Sequence, residues 1–198
     1  MRNLKIDSEN IVEKTASVLR GGGIVMHPTE TCYGLAVDIF NERALDRLYK
    51  LKGMPKDKPL SILVDSISMA MDYGKFSPKA MELAHNFWPG PLAIMVPRTE
   101  KLPEFFNSGY DAVSIRYSPL HFCKNFVRKL KNPVTTTSAN ISGEEELYEV
   151  DLKKHPELKY DLDLIVDGGI IEKNPPSTII KIDDEKVNVV REGGIKFK

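Results

Sequence analysis

The sequence has few cysteines, no excess of either charge and no long apolar run. Two cysteines, Cys32 and Cys123, are too few to cross-link a chain of 198 residues, which favours a reducing cytoplasm. No segment has the pattern of a signal peptide, and no apolar run approaches the roughly 20 residues of a membrane-spanning helix. Lys plus Arg and Asp plus Glu each total 28, so any basic surface for nucleic acid or membrane must be local.

The residues that are present fit one globular domain, which we expect to span residues 1–198 with 41% hydrophobic content. Helices are predicted after the capping residues Ser8, Asn41, Ser77 and Ser118. Residues 144–159, dense in charge, are predicted to be the least regular. Strands are predicted over residues 24–28, 59–64, 92–96, 112–117, 135–137, 162–166, 177–182 and 187–190. This order predicts an α/β fold with a mixed, mostly buried sheet and helices on its faces.

The chain is organised around residues 24–38, where an apolar strand leads into a polar loop. The strand ends at Pro28, which cannot donate to a strand ladder, and Thr29, Thr31, Tyr33 and Gly34 follow it. Ligands of α/β sheets usually bind in crevices beyond strand ends. We therefore expect this loop to form one wall of a ligand site.

Four lysines lie close together between a helix and a buried strand, at Lys50, Lys52, Lys56 and Lys58. They form a concentrated positive loop, which suits an anionic ligand. The spacing matches no phosphate-binding P-loop, so the same pattern also fits an ordinary solvated surface.

A second polar segment, residues 135–143, places hydroxyl groups and an amide after a short strand. Such groups bind phosphate, ribose or an amino-acid headgroup, and they equally form caps and turns. Arg116 lies on an apolar strand, where a guanidinium needs an anionic partner. That partner is either a protein carboxylate or the carboxylate or phosphate of a ligand. Ser177 and Arg191 again place a hydroxyl and a guanidinium at strand ends.

Together, motifs between His27 and Gly193 resemble those of the YrdC-like threonylcarbamoyl-AMP synthases. Any one motif is weak, but their order is specific, and the length resembles the short, single-domain form. The motifs are Pro-Thr-Glu-Thr-x-Tyr-Gly-Leu from Pro28, Lys-Gly-x-Pro-x-x-Lys-Pro-Leu from Lys52, Trp-Pro-Gly-Pro-Leu from Trp88, Ser-Ala-Asn-x-Ser-Gly from Ser138, Pro-Ser-Thr-Ile from Pro176 and Arg-Glu-Gly from Arg191.

The resemblance implies a YrdC/RibB-like fold, in which a twisted mixed β-sheet flanked by helices surrounds a basic cavity. It implies a nucleotidyltransferase that forms threonylcarbamoyl-AMP and pyrophosphate from ATP, L-threonine and bicarbonate or carbon dioxide. The product would pass to a downstream transferase complex that modifies the tRNA adenosine next to the anticodon. Direct contact with tRNA or double-stranded RNA is a further implied property.

The same resemblance assigns roles by position. Lys52 and Arg116 are the expected catalytic residues. Mg²⁺ is expected to be held mainly by the ATP phosphates, and no protein metal ligand is predicted. Threonine is expected at Thr31, Arg116, Thr136 and Ser177, and ATP at Lys52, Lys58, Ser138, Asn140 and Arg191.

The sequence departs from the family pattern at several positions. Met54 stands where the family usually has Arg, and Lys50 or Lys56 could supply the missing charge. Residues 144–146 are all Glu where members often have Pro, Ser and Thr, and acidic groups repel a polyphosphate unless metal or solvent intervenes. Ser118 replaces a common proline, with little expected effect.

Two other functions fit the same residues. A non-catalytic factor of this fold that binds double-stranded RNA or the ribosome would account for Met54. Carbamoyl transfer, as in the related domain of hydrogenase-maturation proteins, would require carbamoyl phosphate. Cys32 has no placed base to activate it as a nucleophile, and His27 is interpreted as a packed ring. The histidines at 85, 121 and 155 show no metal-ligand spacing.

Overall fold

The computed structural model of the chain describes residues 2–153, 156, 158–183 and 185–197. Its helices are α1 (Ile11–Arg20), α2 (Glu42–Leu51), α3 (Ile67–Tyr73), α4 (Pro78–Phe87), α5 (His121–Leu130) and α6 (Leu158–Asp161). Its strands are β1 (Arg2–Lys5), β2 (Val25–Pro28), β3 (Tyr33–Ala36), β4 (Ser61–Leu63), β5 (Leu92–Pro97), β6 (Ala112–Arg116), β7 (Val134–Ser138), β8 (Leu164–Asp167), β9 (Thr178–Asp183) and β10 (Lys186–Arg191). None of the helices in these ranges is long and apolar enough to cross a bilayer.

The strands form a mixed sheet in the order β1-β8-β2-β3-β7-β4-β6-β5-β9-β10. β8 is parallel to β1 and β2, and the pairs β4–β6 and β5–β9 are also parallel. The pairs β2–β3, β3–β7, β4–β7, β5–β6 and β9–β10 are antiparallel. This architecture confirms the predicted fold class.

Successive residues of the central strands pack into two different cores, because side chains alternate between the faces of a sheet. Val25 and Leu63 pack with Phe126 in the core that α1 and α5 cover. Their neighbours Met26 and Ile62 lie in the larger core, which includes the apolar faces of α2 and α4. The central strands are therefore buried on both faces, and the polar site must lie where these apolar runs stop.

Two of the four predicted caps lie where the sequence indicates. Asn41 and Ser77 cap α2 and α4 by accepting backbone N–H bonds of 3.0 and 3.2 Å. The other two predictions are wrong. Asn10 precedes α1 in place of Ser8, and α5 begins only at residue 121, beyond Ser118.

The sequence did not predict β1, β3, α3 and α6. Tyr33 and Gly34 were expected in a loop, yet they begin β3, which runs antiparallel to β2, so the polar loop is the short turn 29–32. The predicted pairing of β9 with β10 is confirmed, and its turn residue Asp184 lies outside the described residues. Within residues 144–159, residues 144–153 form no helix or strand and residues 158–159 begin α6, whereas Lys154, His155 and Glu157 are not described.

Candidate functional site

A cavity of about 310 Å³ opens across the middle of the sheet. Its walls come from the turn between β2 and β3, the loop from α2 to β4, the end of β7 with the residues that follow, and the ends of β6 and β10. The structure places every sequence-predicted site residue along it, and the role of each toward a ligand stays a prediction. These residues are Thr31, Lys52, Lys58, Arg116, Thr136, Ser138, Asn140, Ser177 and Arg191.

Arg116 ends β6 and is only 7% exposed, so its charge needs partners. Its Nη2 donates to a Glu30 carboxylate oxygen at 2.5 Å and to the Thr31 hydroxyl at 3.3 Å. Nε and Nη1 have no acceptor among the described residues. Since a guanidinium carries five N–H donors and Nη2 provides two of them, three have no acceptor among the described residues. A protein carboxylate thus binds one side of Arg116, and the other side can bind an anion.

Glu30 is held against Arg116 by Ser118. The Ser118 hydroxyl donates to the second Glu30 carboxylate oxygen at 2.6 Å and accepts the N–H of Leu120 at 3.2 Å. Neither Glu30 nor Ser118 lines the cavity, so the carboxylate neutralises Arg116 from behind. The hydroxyl that a proline would lack therefore has a place in the charge network, which the sequence did not predict.

Ser177 contributes a buried hydroxyl without a partner. The residue is 3% exposed, and its Oγ has no hydrogen-bond partner among the described residues. Its carbonyl oxygen accepts Nε and Nη2 of Arg191 at 3.1 and 2.7 Å, which fixes the two residues together. An unsatisfied buried hydroxyl is costly, so a polar ligand atom at this point would be stabilising.

Lys52 is buried against the residues that follow β7. Its Nζ donates to the carbonyl oxygens of Ser138 and Asn140 at 2.7 and 2.9 Å, and to Oδ1 of Asn140 at 3.0 Å. These bonds use all three N–H donors of the ammonium. Burial, followed by the charge of Lys58, lowers the pKa of Lys52 to about 8. Lys52 thus fixes residues 138–140 and adds positive charge, and a ligand bonds to it only by displacing one of these oxygens.

The remaining polar wall of the cavity contains Asn140, which is fixed by hydrogen bonds, and Lys58, which is an exposed cation. Asn140 accepts the Ser138 hydroxyl at 2.7 Å and donates to the Glu144 carbonyl at 2.6 Å. Lys58 is exposed, with its Nζ 3.3 Å from the Ser142 hydroxyl. Lys58 can therefore turn toward a ligand, whereas Asn140 is held in place.

Met54 lines the cavity and is 7% exposed, so the missing arginine would have faced the site. The expectation that Lys50 or Lys56 supplies this charge is wrong. Both side chains lie outside the cavity, and Lys56 forms a 2.6 Å ion pair with Asp46. The cavity therefore has an apolar group at a position that could have carried a cation.

The structure fits the interpretation of Cys32 and His27 as unreactive. Cys32 lines the cavity, but burial raises the pKa of its thiol, which keeps it protonated. His27 is fully buried, and its ring packs edge-on against Phe126 at 5.1 Å. Among the described residues, no group of three or more His, Cys, Asp or Glu is placed to hold a metal ion, and His155 lies outside them.

Sequence reasoning did not name Glu30, Ser142 or Glu146 as site residues. Glu30 and Ser142 lie inside the Pro-Thr-Glu-Thr and Ser-Ala-Asn motifs, so their motif positions were an available signal. Glu146 has no such signal, because the sequence does not show which residue of 144–146 borders the cavity.

The Sua5/YciO/YrdC family, described as telomere recombination, matches residues 17–193. A Methanocaldococcus jannaschii protein, provisionally named a threonylcarbamoyl-AMP synthase, is 34% identical over 97% of this chain and 90% of its own length. A Pyrococcus abyssi protein named threonylcarbamoyl-AMP synthase is 32% identical over 92% of this chain, and the match spans 54% of that relative. The structure of P. abyssi Sua5 complexed with L-threonine has a TM-score of 0.86 and 31% identity, over 97% of this chain and 57% of the other.

The range that matches the family contains every residue that lines the cavity. Similarity of sequence and fold thus extends over most of the chain. The chain belongs to the Sua5/YciO/YrdC family.

Proposed function

We propose that this chain is an L-threonylcarbamoyladenylate synthase, a nucleotidyltransferase that uses ATP, L-threonine and bicarbonate or carbon dioxide. The names of the two relatives and the L-threonine complex of P. abyssi Sua5 support the proposal. The match spans 54% of the Pyrococcus relative and 90% of the Methanocaldococcus one, so it reaches nearly the whole length of one of them.

The observation that carries the proposal is a cationic cavity whose lining includes hydrogen-bond donors without a described protein partner. Arg116 has three free N–H donors, and Ser177 has a buried hydroxyl without a described partner. This pair suits the carboxylate of an amino acid, because a guanidinium binds carboxylates in a bidentate fashion. Lys52, Lys58 and Arg191 line the same cavity and suit a triphosphate.

The residues present are sufficient for the proposed chemistry. The amine of threonine adds to carbon dioxide and loses a proton, giving a carbamate that is already an anion. A carbamate oxygen then attacks the α-phosphorus of ATP as the bond to pyrophosphate breaks, so no strong side-chain base is needed. Catalysis can rest on alignment and charge neutralisation by Lys52, Arg116 and the surrounding hydroxyl groups.

Magnesium fits this site as an ion that enters with the nucleotide. Mg²⁺ retains waters and uses one or two carboxylates together with substrate phosphates. When bound, Mg²⁺ would neutralise phosphate charge that an arginine in place of Met54 could otherwise neutralise.

Pyrophosphate release tests the proposal. ATP, bicarbonate, Mg²⁺ and threonine should give pyrophosphate and a labile product with the mass of threonylcarbamoyl-AMP. Arg116→Ala should chiefly raise the threonine KM, since it removes the proposed carboxylate partner. No threonine-dependent turnover by the wild-type protein would exclude the synthase activity, and an unchanged threonine KM in the variant would exclude the role of Arg116.

The proposed product implies a cytoplasmic setting with ATP and tRNA, and a downstream transferase complex that modifies the tRNA adenosine. The competing function, a factor that binds double-stranded RNA or the ribosome, predicts strongly salt-dependent RNA binding without turnover. Carbamoyl transfer predicts turnover with carbamoyl phosphate in place of bicarbonate. The names of the relatives favour the synthase over both.

A further inference from the structure

Glu146 is the one carboxylate that lines the cavity among the residues the structure describes. It follows the 138–143 segment and is half-buried, whereas Glu144 and Glu145 are exposed and do not border the cavity. The acidic run predicted to repel a polyphosphate thus places a single negative charge inside the site.

Glu146 makes no hydrogen bond or ion pair within the described part of the chain. By contrast, its neighbour Glu145 forms a 2.9 Å ion pair with Lys173. Burial lowers the pKa values of Lys52 and Arg191, and the nearby charge of Glu146 opposes this shift in part, although neither side chain forms a bond to it. The carboxylate is therefore available to a cation that enters the cavity.

The backbone on both sides of Glu146 is fixed. Asn140 donates to the Glu144 carbonyl at 2.6 Å, and the buried Leu147 accepts the N–H of Tyr33 at 2.8 Å. The segment consequently cannot move away easily when an anion binds. A carboxylate held beside a triphosphate is repelled unless a cation lies between the two.

We propose that Glu146 is a protein ligand of the Mg²⁺ that accompanies ATP, binding it directly or through one water. This inference rests on the proposed function, because it needs a triphosphate in the cavity. Mg²⁺ is typically held by one or two carboxylates plus phosphate oxygens, which this arrangement provides. The ammonium group of threonine is a less suitable partner, because that nitrogen becomes part of a carbamate whose negative charge a carboxylate would repel.

Calorimetric titration with a non-hydrolysable ATP analogue, with and without Mg²⁺, tests the proposal on wild type and Glu146→Gln. In wild type, Mg²⁺ should strengthen binding. In Glu146→Gln, the metal-free analogue should bind more tightly because the repulsion is gone, and the gain from Mg²⁺ should shrink about tenfold. Electron paramagnetic resonance of Mn²⁺ with the analogue should likewise show weaker metal retention in the variant. Glu145→Gln is the matched control and should behave as wild type.

Three other outcomes would each contradict the proposal, and each points to a different explanation. If Glu146→Gln strengthens binding by the same factor with and without Mg²⁺, then Glu146 only repels the nucleotide. If threonine binding weakens while the gain from Mg²⁺ is unchanged, the carboxylate binds the ammonium group. If wild type binds no analogue under either condition, the proposed function fails together with this inference.

Discussion

Side chains in the cavity differ in how many of their polar atoms the protein already uses. Lys52 and Asn140 are fixed by bonds to the protein, whereas Arg116 keeps three free donors and Ser177 keeps its hydroxyl. Fixed groups set the shape and charge of the cavity, and the groups with free donors can bind a ligand. The most informative substitutions change one of these two properties and leave the other intact.

Ser118→Ala is expected to raise the threonine KM about fivefold, which corresponds to about 1 kcal/mol for one lost hydrogen bond. Without the hydroxyl, Glu30 can move and Arg116 loses its fixed orientation, while kcat and the ATP KM should change less. Steady-state kinetics measures all three. Ser114→Ala, on the strand β6 that ends at Arg116, is the control, because its buried Oγ has no described partner. Equal effects of the two substitutions would contradict a positioning role for Ser118.

Met54→Arg is expected to tighten ATP binding and to lower the thermal stability of the empty protein. The new guanidinium would face the triphosphate, but it would be buried near Lys52 and Lys58 when no nucleotide is present. Calorimetry with ATP and thermal unfolding measure the two effects, and Met54→Leu controls for the change of side chain. Weaker ATP binding in the arginine variant would show that this position does not face the phosphates.

Secondary-structure elements position the site through close contacts at their ends. Gly193, after β10, packs directly on the backbone that leads into β9. A Cβ at this position would lie 2.5 Å from the Thr178 nitrogen and closer still to the Pro176 carbonyl oxygen. A side chain there would displace residues 176–178, which include Ser177.

Gly193→Ala is therefore expected to weaken threonine binding and to destabilise the fold by about 1–3 kcal/mol, a typical cost of overpacking. Gly194→Ala is the matched control, because its nearest contact would be an ordinary 3.8 Å to Pro175. Chemical denaturation and threonine titration give the two quantities. Equal stability and equal threonine binding in the two variants would show that the backbone around residue 193 adjusts without cost.

His27 of β2 is buried against α5, and we expect this burial to make the protein less stable in acid. Burial lowers the pKa of His27 from 6.5 to about 4, so between these values the unfolded state binds a proton that the folded state does not. The contribution of His27 to stability should be constant above pH 6.5 and fall by about 3 kcal/mol as the pH drops to 4. Denaturant unfolding across this range measures it, and His27→Leu should flatten this part of the profile. A variant with the wild-type profile would assign the loss to other groups.

In the whole molecule, the cavity joins segments that are far apart in the chain, from the turn after β2 to the end of β10. Ligands that bind only the folded state should therefore stabilise the protein globally. At a hundredfold excess over Kd the stabilisation is about 2.7 kcal/mol, or a Tm increase of roughly 5–10 °C for a chain of this size. L-threonine and Mg²⁺-ATP should each raise Tm, whereas D-threonine, with the same charges, should not. Equal shifts with both enantiomers would indicate a nonspecific effect.

Much of the fold follows from patterns that are local in the sequence. Apolar periodicity predicts α2 and α4, with Asn41 and Ser77 as their caps, because a helix of this kind depends on neighbouring residues. β3 was missed because its first residues, Tyr33 and Gly34, were assigned to a loop. Its pairing with β2 and β7 becomes visible only in three dimensions. Ser118 was taken for a cap because the sequence does not show that Glu30 lies beside it.

The residue types of the site were set by the amino-acid order, since the motifs contain Ser177, Lys52 and Lys58, and the apolar strand around Arg116 marks its guanidinium, without any coordinates. Packing decided which of their polar groups remain without a protein partner and which side chains face the cavity. The fold leaves three donors of Arg116 open, saturates Lys52, turns Lys56 toward Asp46 and places Glu146 in the cavity. Periodicity and motifs are properties of adjacent residues, whereas burial and hydrogen-bond satisfaction depend on segments that meet only when the chain folds.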